Sequence, residues 1–217
     1  MNKCGKCCIL APMPELSLKN LTALINSYAK TNLTESRYAH SVRVAEYSSH
    51  LASLYKEENV MPELAYFTGL SHDICKKCDD ETLLKIVKED GLGIDEVEKT
   101  RLNLLHGRAA AVILKTEFGV TDNSILKAVA FHTFGYEGID ALGKIVYIAD
   151  KIEPGRPDTE RFREFAETAS LNTLMLKVLD WNISYIEKKG GTLHTLTQKM
   201  YDGLLKEAAL IGQHRRF

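Results

Sequence analysis

The sequence lacks any apolar run approaching the ~18 residues that a membrane-spanning helix needs. Its N-terminus, MNKCGKCCILAPMPELS, has no well-formed apolar region followed by a small-residue cleavage site, so we do not expect a secretion signal. The sequence also has no large excess of one charge, because its 28 Lys and Arg residues nearly balance its 29 Asp and Glu residues. This balance argues against long-range attraction to nucleic acid. We therefore expect a cytoplasmic protein with no membrane or nucleic-acid partner.

Cysteine is scarce, and its number is odd. The five residues are Cys4, Cys7, Cys8, Cys75 and Cys78. An odd, clustered set does not suit the disulfide framework of a small secreted protein, so we expect reduced thiols. We do not expect a four-thiolate zinc site, because Cys75 falls within a predicted helix, where it should pack in the core.

Strand-like alternation with a period of two is nearly absent, and no internal repeat is visible. Apolar residues recur instead at helical spacing along most of the chain, and 217 residues with 45% apolar content suffice for one substantial core. We predict an all-α fold. It comprises a flexible N-terminal extension at 1–16, one helical domain at 17–210 and a short C-terminal tail at 211–217.

Capping and breaking residues indicate where the helices begin and end. Thr34 suits an N-cap, Pro62 suits a first helical turn, and Gly91 suits a helix end. The predicted helices span 17–30, 34–55, 61–75, 80–90, 103–118, 122–132, 139–152, 160–188 with a break near Ser170, and 195–210.

Five short strings carry the residue types that a buried metal centre needs. They are RYAHS with His40, GLSHDICKK with His72 and Asp73, LLHGR with His106, AFHTFG with His132, and IVYIADKIEPGR with Asp150. A single histidine in a helical core is more often structural than a ligand. His50, His194 and His214 therefore carry little weight as metal ligands.

Two carboxylates stand out because they lie in apolar surroundings. An unpaired carboxylate is costly to bury, so Asp73 and Asp150 each call for a cation. For Asp150 the neighbouring Lys151 is the simple alternative partner, but a divalent cation suits two such acids better. Nitrogen and oxygen ligands without thiolate favour iron, manganese or a similar metal, with affinity falling at low pH.

The order of His40, His72-Asp73 and Asp150 resembles the HD superfamily of metal-dependent phosphohydrolases. The strings HDICKK, LLHG, HT-x-G and KIVYIADKIEPGR are similar to the YqeK family, the symmetrical diadenosine tetraphosphate hydrolases. The resemblance covers about 20–205. It implies an HD-type helical bundle, a homodimer, and hydrolysis of dinucleoside polyphosphates, chiefly diadenosine tetraphosphate to two ADP, by a metal-activated water.

The same resemblance implies the roles of the site residues. His40, His72, Asp73 and Asp150 would ligate a first metal ion, with iron expected and manganese or another divalent metal as the substitute. His106 and His132 would either ligate a second ion or contact substrate phosphate, and the sequence leaves both readings open.

Further residues are candidates for catalysis or for binding a dinucleoside polyphosphate or nucleoside diphosphate. Asp73 would orient the nucleophile, and Lys76, expected one helical turn later, would stabilise the transferring phosphoryl group. Arg156 can offer phosphate a two-pronged contact. The remaining substrate-binding candidates are His106, His132, Thr133, Lys77, His194 and Thr195. Phe134 departs from the small or polar residue that family members often carry.

Three other functions fit the same residues. One is an HD nucleotidase or phosphodiesterase acting on another nucleotide. A second is a mixed-valent di-iron oxygenase on the same helical scaffold. A third is a nucleotide-binding regulatory protein with an inactive centre.

Overall fold

The computed structural model describes residues 17–214, and the side chains of 17–210. The predicted extension at 1–16, with Cys4, Cys7 and Cys8, lies outside the described residues. Within 17–214 all regular secondary structure is helical, which confirms the all-α prediction. No helix of this part combines the length and the apolar character needed to cross a membrane.

The described chain forms a succession of short and medium helices. They are α1 (Leu18–Asn32), α2 (Glu35–Leu54), α3 (Pro62–Ser71), α4 (Asp80–Val87), α5 (Glu96–Thr100), α6 (His106–Thr116), α7 (Asn123–Ala130), α8 (Ala141–Ile152), α9 (Glu160–Ala166), α10 (Leu171–Lys188) and α11 (Thr195–His214). Short 3-10 turns lie at Lys56–Glu58, Lys88–Asp90 and Leu102–Leu105.

Side-chain caps explain where many of these helices begin. In several helices, the N-cap side chain accepts a hydrogen bond from a backbone N–H of the first helical turn. Among these N-caps are Ser17, Thr34, Asp140 and Ser170. Ser170 caps α10, so the break expected near this residue separates α9 from α10.

Helix α8 lies at the centre of the fold. It packs against α2, α3, α7 and α10, and all its residues except Ala141 and Lys151 are buried. Burial on all sides explains its almost continuous apolar sequence. It also places Asp150, in the last turn of α8, inside the protein.

Helices α2 and α3 approach each other closely at Gly69. A Cβ atom there would lie 2.8 Å from Ser48 Oγ and 2.9 Å from the Cα of Ala45, so a larger residue would push the helices apart. This approach lets the end of α3 deliver His72 and Asp73 beside His40 of α2.

The predicted extension of the third helix to Cys75 is wrong, because α3 ends at Ser71. His72 Nδ1 lies 2.6 Å from Gly69 O, the carbonyl that the Asp73 amide would use in a continuing helix. The chain then follows a tighter turn, in which the Lys76 N–H donates to Asp73 O at 2.9 Å. Lys76 thus projects from this turn and not from a helix, while Cys75 is buried in the core as expected.

Other differences concern boundaries. Helix α6 begins at His106, after the 3-10 turn, and not at 103. Helix α5 was not predicted. The last helix continues to His214, so part of the expected tail at 211–217 is helical.

Candidate metal centre

Six side chains from five parts of the chain meet in the interior. They are His40 of α2, His72 and Asp73 in the turn after α3, His106 at the start of α6, His132 just after α7, and Asp150 of α8. All six are buried, with at most 8% of any residue exposed. These are the six candidate ligands identified in the sequence.

One group of atoms surrounds Asp150. His40 Nε2 lies 3.1 Å and His72 Nε2 lies 3.7 Å from Asp150 Oδ1, and His72 Nε2 lies 3.4 Å from Asp73 Oδ2. Metal bonds of about 2.1 Å at right angles place neighbouring ligand atoms about 3 Å apart. The spacing of this group therefore suits a single cation.

A second group surrounds the other oxygen of Asp73. His106 Nε2 lies 3.0 Å and His132 Nε2 lies 3.6 Å from Asp73 Oδ1, and the two Nε2 atoms are 3.1 Å apart. The two oxygens of Asp73 thus face different groups. Asp73 is the residue that joins them.

The tautomers of the four histidines follow from their outer partners. In each ring, Nδ1 lies within hydrogen-bond distance of an acceptor oxygen. The pairs are His72 with Gly69 O, His106 with Asn103 O, His132 with Val129 O, and His40 with a Glu153 carboxylate oxygen. A carbonyl or ionised carboxylate can only accept, so each Nδ1 carries the proton. Each Nε2 is then the ring nitrogen that faces the centre, where the neutral ring can offer its lone pair to a cation, as metal-binding histidines do.

Two buried atoms at the centre have no hydrogen-bond partner among the described residues. They are His72 Nε2 and Asp73 Oδ1. Leaving such atoms unsatisfied is costly, and a cation would satisfy both. At the centre, two groups of three residues have ligand atoms that all lie within 4.8 Å of one another. One group is His40, His72 and Asp150, and the other is His72, Asp73 and His132. The residues therefore fit a metal ion.

The electrostatics keep both acids ionised. Burial alone would raise the pKa of Asp73, but His72 and His106 outweigh it and hold that pKa well below its usual value. Lys151 and His40 do the same for the pKa of Asp150. Burial lowers the pKa of His132 well below its usual value, so this ring stays neutral.

Glu153 is an outer partner of the centre that the sequence did not reveal. It is buried, and its Oε1 lies 3.1 Å from His40 Nδ1. Arg43 Nε donates to Glu153 Oε2 at 2.6 Å, and the Gly155 N–H donates to the same oxygen. The one available signal was its position, three residues after Asp150.

Basic residues also pair with the acids, among them Arg37 and Lys151. Arg37, one turn before His40 in α2, donates to Asp73 Oδ2 at 2.8 Å. Lys151, the alternative partner considered for Asp150, donates to Asp150 Oδ2 at 2.9 Å and to His132 O at 3.1 Å. Lys151 therefore links both halves of the centre, while Asp150 Oδ1 still faces His40 and His72.

Most candidate phosphate-binding residues adjoin the centre. Lys76 Nζ lies 3.0 Å from His106 Nε2, and burial lowers its pKa. Arg156 donates to Asp150 Oδ1 at 3.0 Å, and Thr133 Oγ1 lies 3.2 Å from His132 Nε2. Lys77 is exposed, and no contact joins it to the centre within the described part of the chain.

A cavity of about 210 Å³ opens beside the centre. Thr133, Lys151 and His194 line it together with Arg101 and Asn182. Thr195, the other candidate in this region, is exposed and does not line the cavity. The cavity therefore offers two cationic side chains next to the buried ligands.

His194 anchors the start of α11 at this cavity. The Leu196 N–H donates to His194 Nδ1 at 3.1 Å, so the neutral ring carries its proton on Nε2, which lies 2.8 Å from Asp95 Oδ2. The ring also stacks on Phe134, with centroids 3.9 Å apart. Asp95, Glu98 and His194 are close enough together to hold a cation, and the buried His194 Nε2 has no hydrogen-bond partner of suitable geometry among the described residues.

Comparison with known proteins identifies the family. The HD domain model matches residues 37–155, more than half of the chain. The chain belongs to the HD domain family. Within this HD domain lie His40, the His72-Asp73 pair, and Asp150.

Relatives of similar length carry a more specific name. "Bis(5'-nucleosyl)-tetraphosphatase, symmetrical" from Staphylococcus aureus is 34% identical over 78% of this chain and 87% of the relative. The protein of the same name from Halalkalibacterium halodurans is 33% identical over 82% and 94%. A solved Clostridium acetobutylicum structure, described as a predicted HD superfamily hydrolase involved in NAD metabolism, is 35% identical, with a TM-score of 0.78 over 85% of this chain and 97% of its own. These relatives confirm the resemblance to the YqeK family.

Proposed function

We propose that this protein hydrolyses diadenosine tetraphosphate symmetrically, consuming one water and releasing two ADP. One observation carries the proposal. All six His and Asp side chains of the centre are buried together in a chain whose relatives, 33% and 34% identical, are named symmetrical bis(5'-nucleosyl)-tetraphosphatase. The products require the bond between the second and third phosphorus atoms to break.

His40, His72, Asp73 and Asp150 would hold the metal ion, which we propose to be iron, with manganese as a substitute. When bound there, a divalent cation would lower the pKa of water and polarise a phosphoryl oxygen. The protein directs four histidine lone pairs into the centre by engaging the opposite nitrogens. It therefore presents a preorganised set of ligands.

The remaining residues bind the polyphosphate and orient the attack. Asp73 accepts hydrogen bonds and positions the attacking water. Basic side chains around the two acids can stabilise the negative charge of the phosphoryl oxygens. They include Arg37, Lys76 and Arg156. The cavity with Arg101 and Lys151 would take the adjoining part of the substrate.

Product identification tests the proposed reaction. The full chain, loaded with Fe²⁺ or Mn²⁺, is incubated with diadenosine tetraphosphate, and the nucleotides are separated by anion-exchange chromatography. We expect ADP alone from the wild-type protein and no turnover from Asp73→Ala. AMP plus ATP, or equal activity in Asp73→Ala, would contradict the proposal. Deoxynucleoside monophosphates and cyclic dinucleotides in parallel reactions test the nucleotidase and phosphodiesterase alternatives.

Three further features complete the proposal. The catalytic domain would span 17–210, the protein would act in the cytoplasm, and it would form a homodimer. Light scattering coupled to gel filtration tests the last point, with an expected mass twice that of one chain.

A further inference from the structure

Two cysteines lie in the turn that follows Asp73. Both are free thiols, and the Cys78 N–H donates to Cys75 O at 3.1 Å, so the chain reverses direction between them. The Cα atoms at the two ends of such a turn are less than about 7 Å apart, and a disulfide bridges Cα atoms about 4.4–6.8 Å apart. The backbone therefore already holds the two residues at a separation that a disulfide can span.

The two thiols differ in exposure and in acidity. Cys75 is 1% exposed, whereas Cys78 is partly exposed and can meet a dissolved reagent. Interaction with the Cys75 thiol lowers the pKa of Cys78 to about 7, while interaction with Cys78, together with burial, raises the pKa of Cys75. The thiolate is the form of cysteine that attacks a disulfide. Cys78 is therefore the residue that reacts first, and Cys75 stands next to it.

Lys76 lies between the two cysteines in the chain. Its Nζ lies 3.0 Å from His106 Nε2 and 3.8 Å from Asp73 Oδ1. A disulfide bond is only about 2.05 Å long, shorter than the contact between two separate thiols, so its formation draws the two ends of the turn together. The backbone of Lys76 must follow this movement. Oxidation of the cysteines would thus shift the lysine that faces the centre.

We propose that Cys75 and Cys78 are a redox-modification site, at which a low-molecular-weight disulfide oxidises the pair and slows hydrolysis. Cys78 attacks one sulfur of the oxidant, which releases one thiol and leaves a mixed disulfide. Cys75 then attacks the Cys78 sulfur, closes the ring around Lys76 and releases the second thiol. The protein loses two electrons and two protons, and the oxidant gains both. The inference rests on the proposed function, because it concerns the rate of that reaction.

Oxidation of the full chain tests this inference. The protein is loaded with Mn²⁺ in place of iron, to keep the metal ion out of the redox chemistry. It is incubated with oxidised glutathione and then assayed with diadenosine tetraphosphate. Proteolysis after glutamate separates fragment 64–81, which holds Cys75 and Cys78, from fragment 1–15, which holds the other three cysteines. Mass spectrometry of the two fragments then locates the disulfide.

We expect fragment 64–81 to lose two hydrogen masses. We also expect kcat/KM to fall by about 10-fold to 100-fold, the effect of losing one hydrogen bond to a charged group, and to recover with a dithiol reductant. Cys78→Ser keeps the size of the side chain but cannot form the bond, so its rate should not respond to the oxidant. A variant with Ser in place of the other three cysteines should respond like the wild-type protein.

The outcomes separate this inference from the proposed reaction. An unoxidised fragment 64–81, a disulfide there with unchanged kcat/KM, or equal slowing of Cys78→Ser would overturn the inference and leave the reaction standing. No cleavage by the reduced, Mn²⁺-loaded protein would overturn the proposed reaction and this inference with it.

Discussion

Glu153 Oε1 lies 3.1 Å from His40 Nδ1, although the two residues are 113 positions apart in the chain. This contact fixes which nitrogen of His40 carries the proton. It also brings a buried carboxylate, held by Arg43, behind a proposed metal ligand. The orientation of His40 therefore depends on α2 packing against the end of α8.

Replacing Glu153 with Gln should weaken metal binding without removing any proposed ligand. The neutral amide can present either an acceptor or a donor to His40 Nδ1, so the tautomer is no longer enforced. We expect affinity for Mn²⁺ to fall by about 10-fold to 100-fold, as with other outer partners of metal ligands. Competition with a fluorescent chelator measures this. Glu167→Gln, at an exposed position, should leave the affinity unchanged. Equal affinities in all three proteins would exclude the positioning role of Glu153.

Gly107 should tolerate no side chain, because α6 and α7 touch there. A Cβ atom would lie 2.7 Å from Ala130 O, 2.9 Å from Val129 O and 3.1 Å from His132 Cε1. Gly107→Ala should therefore destabilise the protein by about 1–3 kcal/mol and displace His132. Urea denaturation measures the free energy of unfolding.

Gly203 provides the opposite control. It lies in α11, and no atom lies within 4 Å of the position that a Cβ atom would take there, so Gly203→Ala should stabilise the protein by up to about 1 kcal/mol. If Gly107→Ala is as stable as Gly203→Ala, the close approach of α6 and α7 does not constrain His132.

The His194 contact should make stability depend on pH. Burial lowers the pKa of His194 below its usual 6.5, against the opposing effects of Asp95 and Glu98 and with support from Arg108. A histidine whose pKa is lower in the folded state makes its full contribution to the free energy of unfolding above pH 6.5. That contribution is lost as the pH falls through the pKa of the folded state. The free energy of unfolding of the wild-type protein, relative to His194→Gln, should be greater at pH 8 than at pH 5.5. A larger wild-type advantage at pH 5.5 would show that Asp95 dominates instead.

Arg156 should contribute to turnover through charge. Its side chain is 39% exposed and reaches Asp150 Oδ1, so it can also contact substrate. A charge-assisted hydrogen bond contributes about 1.5–3 kcal/mol, and Arg156→Ala should lower kcat/KM by about 10-fold to 100-fold. Arg161→Ala, which removes an exposed arginine, is the comparison in the same assay. Unchanged kcat/KM in Arg156→Ala would remove this residue from the site.

The sequence predicted the helices best where local chemistry decides them. Ser170 and Thr34 are caps that can be recognised in the sequence, and both begin helices. Helix α5 was missed although Asp95 and Glu98 form a capping box, whose spacing is also visible in the sequence. The end of α3 could not be predicted, because the His72 side chain competes with the backbone for Gly69 O.

The buried acids were predictable for a similar reason. Asp73 and Asp150 stand out in apolar surroundings, and both are buried. Arg43 within α2 and Glu153 just after α8 gave no comparable signal, since charged residues are usually solvent-exposed. Only the packing of α2 against the end of α8 brings these two residues together across 110 positions.

We propose above all that this buried His and Asp centre splits diadenosine tetraphosphate symmetrically with the help of a divalent cation. The most direct measurement counts the ADP formed per diadenosine tetraphosphate consumed by the metal-loaded chain, then after chelation and after re-addition of Mn²⁺. We predict two ADP per substrate, loss of turnover with the chelator, and recovery with Mn²⁺. Continued ADP formation in excess chelator would exclude a role for the cation, and AMP and ATP as products would exclude symmetrical cleavage.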